Sequence, residues 1–467
     1  MTTAIDKIAE FDRFGSILGL ERVEELLHRL GDPHKGLRYI HVVGTNGKGS
    51  VCKYLEKGLA ANGYKVGLYT SPYIERFNER IQFDGKQISD EDLEIHATRA
   101  LEAAKSMVDD GLTSPTEFEV VAATAFSYFA DKADENSIFV MEAGMGGLGD
   151  ATNVIENPMA CVFTGVAFDH MQILGNTLAE IATDKAGIIK DGAPVISNVK
   201  DHEPAAVIAR TAYQKGSRLY DVSDIKVSID WETPVCQQVS MNLWGTAYSE
   251  VEISMVGEHQ AQNLKTALAT LEVLRKAGSI KIERSRLYAG LKEAVQPGRI
   301  EVFSGREAMA NGECWGKEST KGKPVIILDG GHNDEGAKAL ADTLEGFFED
   351  KKVLMVSAIL ANKEIDKMIP HMARVAKDVI VTMQPHNPRA MDSAELAEHF
   401  AKHMNVVAVT KSPAEAVEEA LSRAEEYDAI VFAGSLYLIG EVRGILTDGG
   451  HEYEAGEYNR GLTGNWG

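Results

Sequence analysis

Residues 41–50, HVVGTNGKGS, gather three glycines, a lysine and two hydroxyls into one short turn that follows an apolar run and opens an amphipathic one. Such a turn lets successive backbone N–H groups point inward. The following helix N-terminus adds partial positive charge, and a lysine reaches the outer phosphates of a nucleotide. Gly44, Thr45, Asn46, Gly47, Lys48, Gly49 and Ser50 therefore form a candidate phosphate cradle. The spacing departs from GxxxxGK[ST], because Gly49 stands after Lys48 where Ser or Thr is expected and Ser50 comes one place later. The competing reading is a plain glycine turn between strand and helix.

A second cluster is 141–153, MEAGMGGLGDATN. Glu142 stands at the carboxyl end of an apolar run, where ligands of open α/β sheets collect. The glycines behind it permit close approach of backbone to ligand. Alone, Glu142 could equally cap a helix or pair with a cation; beside a phosphate cradle it becomes a candidate for Mg²⁺, which takes oxygen ligands together with substrate phosphates. Phe168-Asp169-His170 ends another strand, and Lys185 follows in ATDKAGIIK among small and apolar neighbours. In the second half, Asp329-Gly330-Gly331-His332-Asn333 again gathers polar groups at a strand's carboxyl edge, with a helix-capping turn as the alternative. Gly434-Ser435-Leu436-Tyr437 ends the last strand in the same way.

The elements needed to position these clusters are legible as periodicity. Strands are expected at 39–43, 66–69, 137–141, 161–164 and 194–197, apolar on both faces as buried parallel strands are. Helices are expected at 50–62, 116–130 and 177–188. Residues 217–255 alternate without helical period (Val251, Ile253, Met255) and read as a small antiparallel insertion, followed by a helix at 260–275. After a polar, glycine-rich loop at 304–323 the alternation restarts, with strands at 325–328, 353–358, 379–382, 406–410 and 429–432 and helices between. Residues 448–467 carry no period and read as a loosely attached tail.

Composition bounds the function. The chain has 467 residues, two or three domains' worth, and a formal net charge of −22. That charge argues against nonspecific binding of nucleic acid or an anionic membrane, which needs basic patches. Cys52, Cys161, Cys236 and Cys314 are far apart, with neither a disulfide framework nor a zinc pattern, and no apolar run reaches membrane-spanning length. A reducing, cytoplasmic setting is expected, as is a monomer acting on small molecules.

The clusters together resemble the folylpolyglutamate synthase and dihydrofolate synthase family, a branch of the Mur ligase superfamily. The resemblance runs in order through FGSILGLERVEELLHRLGDP, IHVVGTNGKGS, YTSPYIERFNERI, PTEFEVVAA, EAGMGGLGDATN, LGNTLAEIATDKAGIIK, GEHQAQNLKTAL, PGRIE, ILDGGHN, HNPRA and GSLYLIGE. It implies an N-terminal P-loop-type ATPase domain (1–297) with a mainly parallel sheet and a small antiparallel insertion. A C-terminal Rossmann-like α/β domain (298–447) and a tail (448–467) would follow. It implies ATP held by residues 44–50, Asn263, Arg299 and Asp329, with Lys48 on the β/γ side. Magnesium would be held by Ser71, Glu142 and His170, and a second ion by Lys185 once carbamylated. His332 would approach the γ-phosphate, and Thr116, Glu117, Phe118, Glu119, Asp150 and Ala151 would line a pteridine pocket. The implied reaction is ATP-dependent attachment of L-glutamate to a folate or to dihydropteroate through an acyl phosphate.

The sequence departs from the family pattern at several places. Leu148 and Gly149 replace an arginine and an apolar residue after GG, Tyr73 replaces a histidine, Gln296 replaces a tryptophan before PGR, and Asn362-Lys363-Glu364 replaces DKD. Other Mur-type amide ligases and P-loop kinases or NTPases are the competing classes; a P-loop switch would leave DGGHN and GSLY without a task.

Overall fold

A computed structural model describes residues 3–9, 11, 19–304 and 324–447. The expected tail at 448–467, and the expected loop at 304–323 apart from Ser304, lie outside the described residues. The chain forms strands β1 (Tyr39–Val43), β2 (Lys65–Tyr69), β3 (Ile81–Phe83), β4 (Lys86–Gln87), β5 (Ser137–Glu142), β6 (Ala160–Phe163), β7 (Val195–Ser197) and β8 (Leu219–Asp221). These make one eight-stranded sheet in the order β4-β3-β2-β5-β1-β6-β7-β8, parallel from β2 through β8. Every residue of β1, β5 and β6 is buried, which is why their sequences, apart from His41 and the ends of β5 at Ser137 and Glu142, run apolar without alternation.

Strands β9 (Val227–Thr233), β10 (Cys236–Leu243) and β11 (Thr246–Ile253) form an antiparallel three-stranded sheet. Its β10–β11 turn places Trp244 (φ 50) and Gly245 (φ 89) in left-handed backbone, as a two-residue hairpin requires. Between the two sheets lies the helix Glu258–Lys276, whose Leu264, Leu268 and Leu271 pack on Val162 and Ile196 of the large sheet and on Val239, Met241 and Ile253 of the small one. Each such leucine contributes roughly 1.5–3 kcal/mol of transfer free energy.

A third sheet collects β12 (Glu301–Ser304), β13 (Val325–Asp329), β14 (Val353–Ser357), β15 (Asp378–Val381), β16 (Asn405–Val409) and β17 (Ala429–Ala433) in the order β12-β13-β17-β14-β15-β16. All pairs are parallel except β12 with β13. This layer is joined to the first by packing as well as by chain. Ile74 shares an apolar cluster with Ile326, Leu328 and Ile439, and Val235 and Val256 share one with Ile300, Val302 and Ile327.

The expected strands are all present. Three details differ from the sequence reading. Residues 219–221 join the large sheet as β8, parallel to β7 (Ile196 beside Tyr220), so the antiparallel insertion starts at Val227. The intervening helix His202–Gln214 makes this an ordinary crossover, but a three-residue edge strand is too short to show a period. The helix Asp90–Asp109 has a small buried stripe (Ala97, Ala100, Ala104) that hides its period, although Ser89 caps it by accepting the Asp92 N–H. Ser304 closes β12 rather than opening a loop.

The parallel register decides where the loops meet. Val42 lies beside Glu142, Val43 beside Phe163 and Tyr69 beside Met141, so the segments leaving β1, β5, β6 and β2 emerge at one carboxyl edge.

Candidate functional site

The turn after β1 is shaped by hydroxyls from the neighbouring strand end. Thr164 Oγ1 donates to the Asn46 carbonyl at 2.6 Å, Thr45 N–H donates to the Gly165 carbonyl at 3.0 Å, and Thr45 Oγ1 accepts the Ala167 N–H at 3.0 Å. Gly47 sits at φ 83 immediately before the helix Lys48–Ala61, and a β-carbon there would run into the side-chain amide of Asn263. Only glycine suits both constraints. No side chain caps this helix, so its first N–H groups stay available to an anion. Lys48 Nζ folds back to donate to the carbonyls of Gly44 and Thr45, both at 3.1 Å.

Lys185, the last residue of the helix Leu178–Lys185, approaches from below and donates to the same Gly44 carbonyl at 3.1 Å. It is 3% exposed, and burial, seconded by Lys48, brings its ammonium down to about 7. Glu142 is equally buried, and loss of solvent pushes its carboxyl up to about 7 against the pull of Lys48. Its Oε2 accepts the Ser71 N–H at 3.3 Å and lies 3.6 Å from where a Gly49 β-carbon would stand. Ser71, Glu142, Lys185 and the cradle are thus one locus.

His170 begins a one-turn helix in left-handed backbone (φ 50), its Nε2 3.7 Å from Asp169 Oδ2. Asp169 also faces Lys363 Nζ at 3.5 Å, a cation from the third sheet's side of the cleft. Although burial opposes it, His170 and Lys363 hold the Asp169 carboxyl below its ordinary range.

Asp150 is buried in a hydrogen-bonded knot. It accepts from the N–H groups of Met145 and Thr152 at 2.9 Å and from Thr152 Oγ1 at 2.5 Å, and Thr152 in turn contacts His41 Nε2 at 2.8 Å. Burial raises the Asp150 carboxyl and keeps His41 neutral, down at about 3. Ala151 starts the short turn Ala151–Val154 beyond it. Of 116–119, two residues are occupied locally. Thr116 caps the helix Glu117–Lys132, and Glu119 accepts the Thr116 N–H at 2.7 Å and a two-point ion pair from Arg22 at 2.8 and 3.1 Å. Phe118 lies over Gly144, 6.2 Å from the Tyr69 ring, and Glu117 faces the buried Arg80 at 3.6 Å. The segment therefore adjoins the glycine turn that follows Glu142.

The third sheet supplies the opposite wall. Asp329 ends β13 and accepts the N–H groups of Ile300 (3.0 Å) and Gly331 (2.9 Å); burial raises its carboxyl, with Arg299 opposing. His332 Nδ1 contacts the Gly330 carbonyl at 2.9 Å, so the neutral ring donates there and leaves Nε2 as an acceptor. Burial and then Lys363 bring that imidazole down to about 4. Asn46 meets this wall directly: its Nδ2 donates to Glu335 Oε2 at 2.8 Å.

Lys363, Glu335, Arg22 and Arg80 were not among the sequence candidates. Lys363 was noticed only as part of an altered tripeptide, and no local pattern marks the others. Leu148 is 58% exposed, with its N–H donated to the Asp184 carbonyl at 2.8 Å. Among the described residues no trio of His, Cys, Asp and Glu is close enough to hold a metal ion by itself, and no helix is long and apolar enough to cross a membrane.

Residues 42–271 match the Mur ligase middle domain, and residues 316–436 match the Mur ligase glutamate ligase domain. A dihydrofolate synthase/folylpolyglutamate synthase of Bacillus subtilis is 34% identical over 92% of this chain and 95% of its own length. The crystal structure of a folylpolyglutamate synthase from Thermotoga maritima superposes with a TM-score of 0.80 at 32% identity, covering 97% of this chain and 98% of that one. A structure of Escherichia coli FolC in complex with DHPP and ADP gives a TM-score of 0.81 at 26% identity, covering 96% and 98%.

Proposed function

The chain belongs to the dihydrofolate synthase/folylpolyglutamate synthase family of Mur ligases, and from that premise we propose its reaction and the residues that carry it. The enzyme ligates L-glutamate to a folate or to 7,8-dihydropteroate, consuming ATP and releasing ADP and phosphate. The observation that carries the site assignment is the uncapped helix N-terminus behind Gly44–Ser50, with Lys48 folded over it and the buried Glu142 beside it.

A carboxylate is a poor electrophile, so its oxygen first attacks the γ-phosphorus of ATP, and the bond to the β–γ bridging oxygen breaks to leave ADP. The cradle N–H groups and Lys48 bind the phosphates and offset charge that develops during transfer. The glutamate amine then attacks the acyl carbon, the C–N bond forms, the C–O bond to phosphate breaks, and inorganic phosphate leaves. His332 Nε2, neutral above about pH 4, is an acceptor for the amine N–H. Asn263, Arg299 and Asp329 are proposed to hold the nucleotide, and the third sheet, docked through Asn46, excludes water from the acyl phosphate.

The residues fit a hard divalent cation shared with the nucleotide. Glu142 is a buried carboxylate that accepts one long N–H bond, from Ser71 at 3.3 Å, and lacks enough side-chain partners to hold an ion without phosphate oxygens. Ser71 and Glu142, with His170 at the same edge, are the proposed Mg²⁺ ligands. Held there, the ion would neutralise charge on the nucleotide's phosphates. Lys185, near 7, carries enough neutral amine to react with CO₂ and become the carbamate proposed for a second ion.

Glu117, Phe118, Asp150 and Ala151 are proposed to line the pterin pocket, with Thr116 and Glu119 holding the first two in place. A division at 297/298, a cytoplasmic location and a monomer complete the proposal; the separate sheets and the free Cys52, Cys161 and Cys236 support the first two. The test is ADP release by purified protein with ATP, Mg²⁺ and glutamate, with dihydropteroate or a folate as acceptor. Turnover needing both glutamate and acceptor is expected. ADP release indifferent to glutamate would favour a P-loop NTPase instead.

A further inference from the structure

The chain leaves β2 at Thr70 and closes on itself at Arg80, where the Thr70 N–H donates to the Arg80 carbonyl at 3.0 Å. Inside this loop the Glu79 carboxylate accepts three consecutive backbone N–H groups: Ile74 at 2.7 Å, Glu75 at 3.0 Å and Arg76 at 2.9 Å. Three amides converging on one point form an anion nest, filled here by the chain's own side chain, and bonds of this charged kind are among the stronger ones. The two parts of the loop have different attachments. Ser71 donates its N–H to Glu142, at the nucleotide end of the site. Ile74, 7% exposed, is buried against Ile326, Leu328 and Ile439 of the third sheet's layer, and Glu75 pairs with Arg443, which also holds Glu301 at 3.1 Å. The proposed chemistry gives Glu79 no task.

We propose that Glu79 is a positioning residue that stiffens the loop from Thr70 to Arg80 into a strap, so that docking of the third sheet on Ile74 and Glu75 fixes the place of Ser71 over Glu142. Without the carboxylate the three amides turn to water and each end of the loop moves independently. The strap then transmits nothing, even though both attachments survive. The inference rests on the reading of Ser71 and Glu142 as the ATP end of the site.

The experiment uses the full chain and four proteins: wild type, Glu79→Gln, Arg443→Ala and the double variant. Amide hydrogen exchange is followed at residues 71 and 73–76 and in β1 and β5, together with kcat and KM. Glu79→Gln keeps the shape but presents an NH₂ where acceptor oxygens are needed. It is expected to speed exchange at residues 74–76 about tenfold while β1 and β5 keep their protection. Arg443→Ala, distant from Ser71 in contact, is expected to speed exchange at Ser71. In turnover, both single variants lower kcat about tenfold with KM for ATP changed less than about threefold, and the double variant falls no further than the worse single one. Unchanged exchange at Ser71 in Arg443→Ala, additive losses in the double variant, or general loss of protection in β1 and β5 would each overturn the strap. The exchange arm decides this even if wild type turns over no folate, so failure of the proposed reaction is read separately.

Discussion

Asn333 donates its side-chain N–H to Asn46 Oδ1 at 3.2 Å while its own Oδ1 accepts the Gly336 N–H at 2.8 Å, so the residue that caps a helix of the third sheet's layer also holds the phosphate cradle. Asn46 completes the link through Glu335. Asn46→Ala removes both bonds across the cleft and is expected to lower kcat/KM for ATP roughly tenfold, as about two hydrogen bonds of 0.5–1.5 kcal/mol would. Its thermal midpoint should stay within a degree or two of wild type, because the loop's own framework through Thr45 and Thr164 remains.

Lys48→Ala tests the cradle itself. The lysine already sits between the Gly44 and Thr45 carbonyls. Its loss removes a flexible cation placed to follow charge onto the transferred phosphoryl, and kcat should drop by about 100-fold or more. Activity within a factor of two of wild type would show that the phosphates lie elsewhere.

Gly47→Ala should be worse than an ordinary loop substitution. At φ 83 the new side chain costs about 1 kcal/mol of backbone energy, and it also displaces the Asn263 amide. Calorimetric titration with ADP is expected to give an affinity lowered at least about tenfold, since a displaced loop loses several N–H contacts together.

Glu119→Ala should register in stability before catalysis. It removes the two-point ion pair with Arg22, whose side chain is 12% exposed, and the acceptor of the Thr116 N–H in the capping box. The expected loss is about 2–4 kcal/mol by denaturant unfolding. If stability is unchanged and only KM for the acceptor rises, Glu119 touches substrate directly.

Glu272 gives a pH signature. Its carboxyl is fully buried, yet bonds from Arg275, Thr246, Lys276 and Tyr248 outweigh desolvation and bring it down to about 2. A depressed carboxyl contributes stability that is fully present above its unfolded value of 4.5 and is lost as pH falls from there towards 2. Because Arg275 and Lys276 are themselves 40% and 44% exposed, the contribution is discounted to roughly 1–2 kcal/mol. Glu272→Gln should therefore lower stability at pH 7 by about that amount and flatten its dependence between pH 5 and 3.

Much of the fold was legible because its signals are local. Strands such as β6 and β17 are apolar along their whole length, and helix starts carry their own caps, as Ser89, Thr116 and Thr177 do. What escaped notice had little local signal: β8 is three residues long, and the helix Asp90–Asp109 buries mainly alanines. The cradle, Glu142 and Asp329 could be found because each sits where a strand ends and glycine begins. Arg22, Arg80 and Lys363 could not, because each matters through a partner remote in the chain and an isolated charged residue usually reads as solvated surface.

The sequence by itself determined the alternation of strands and helices, the glycine turn before Lys48, the order of the motifs and hence the family. These follow from backbone preferences and from apolar spacing, which act over a few residues. Only the tertiary structure decided that Lys48 and Lys185 share the Gly44 carbonyl, that Glu119 is taken up by Arg22, and that Ile74 belongs to the core of the other layer. It also decided the charge states near neutrality of Glu142 and Lys185, because those come from burial. Burial is a property of what surrounds a side chain in space, and that is fixed only when elements far apart in the chain pack together.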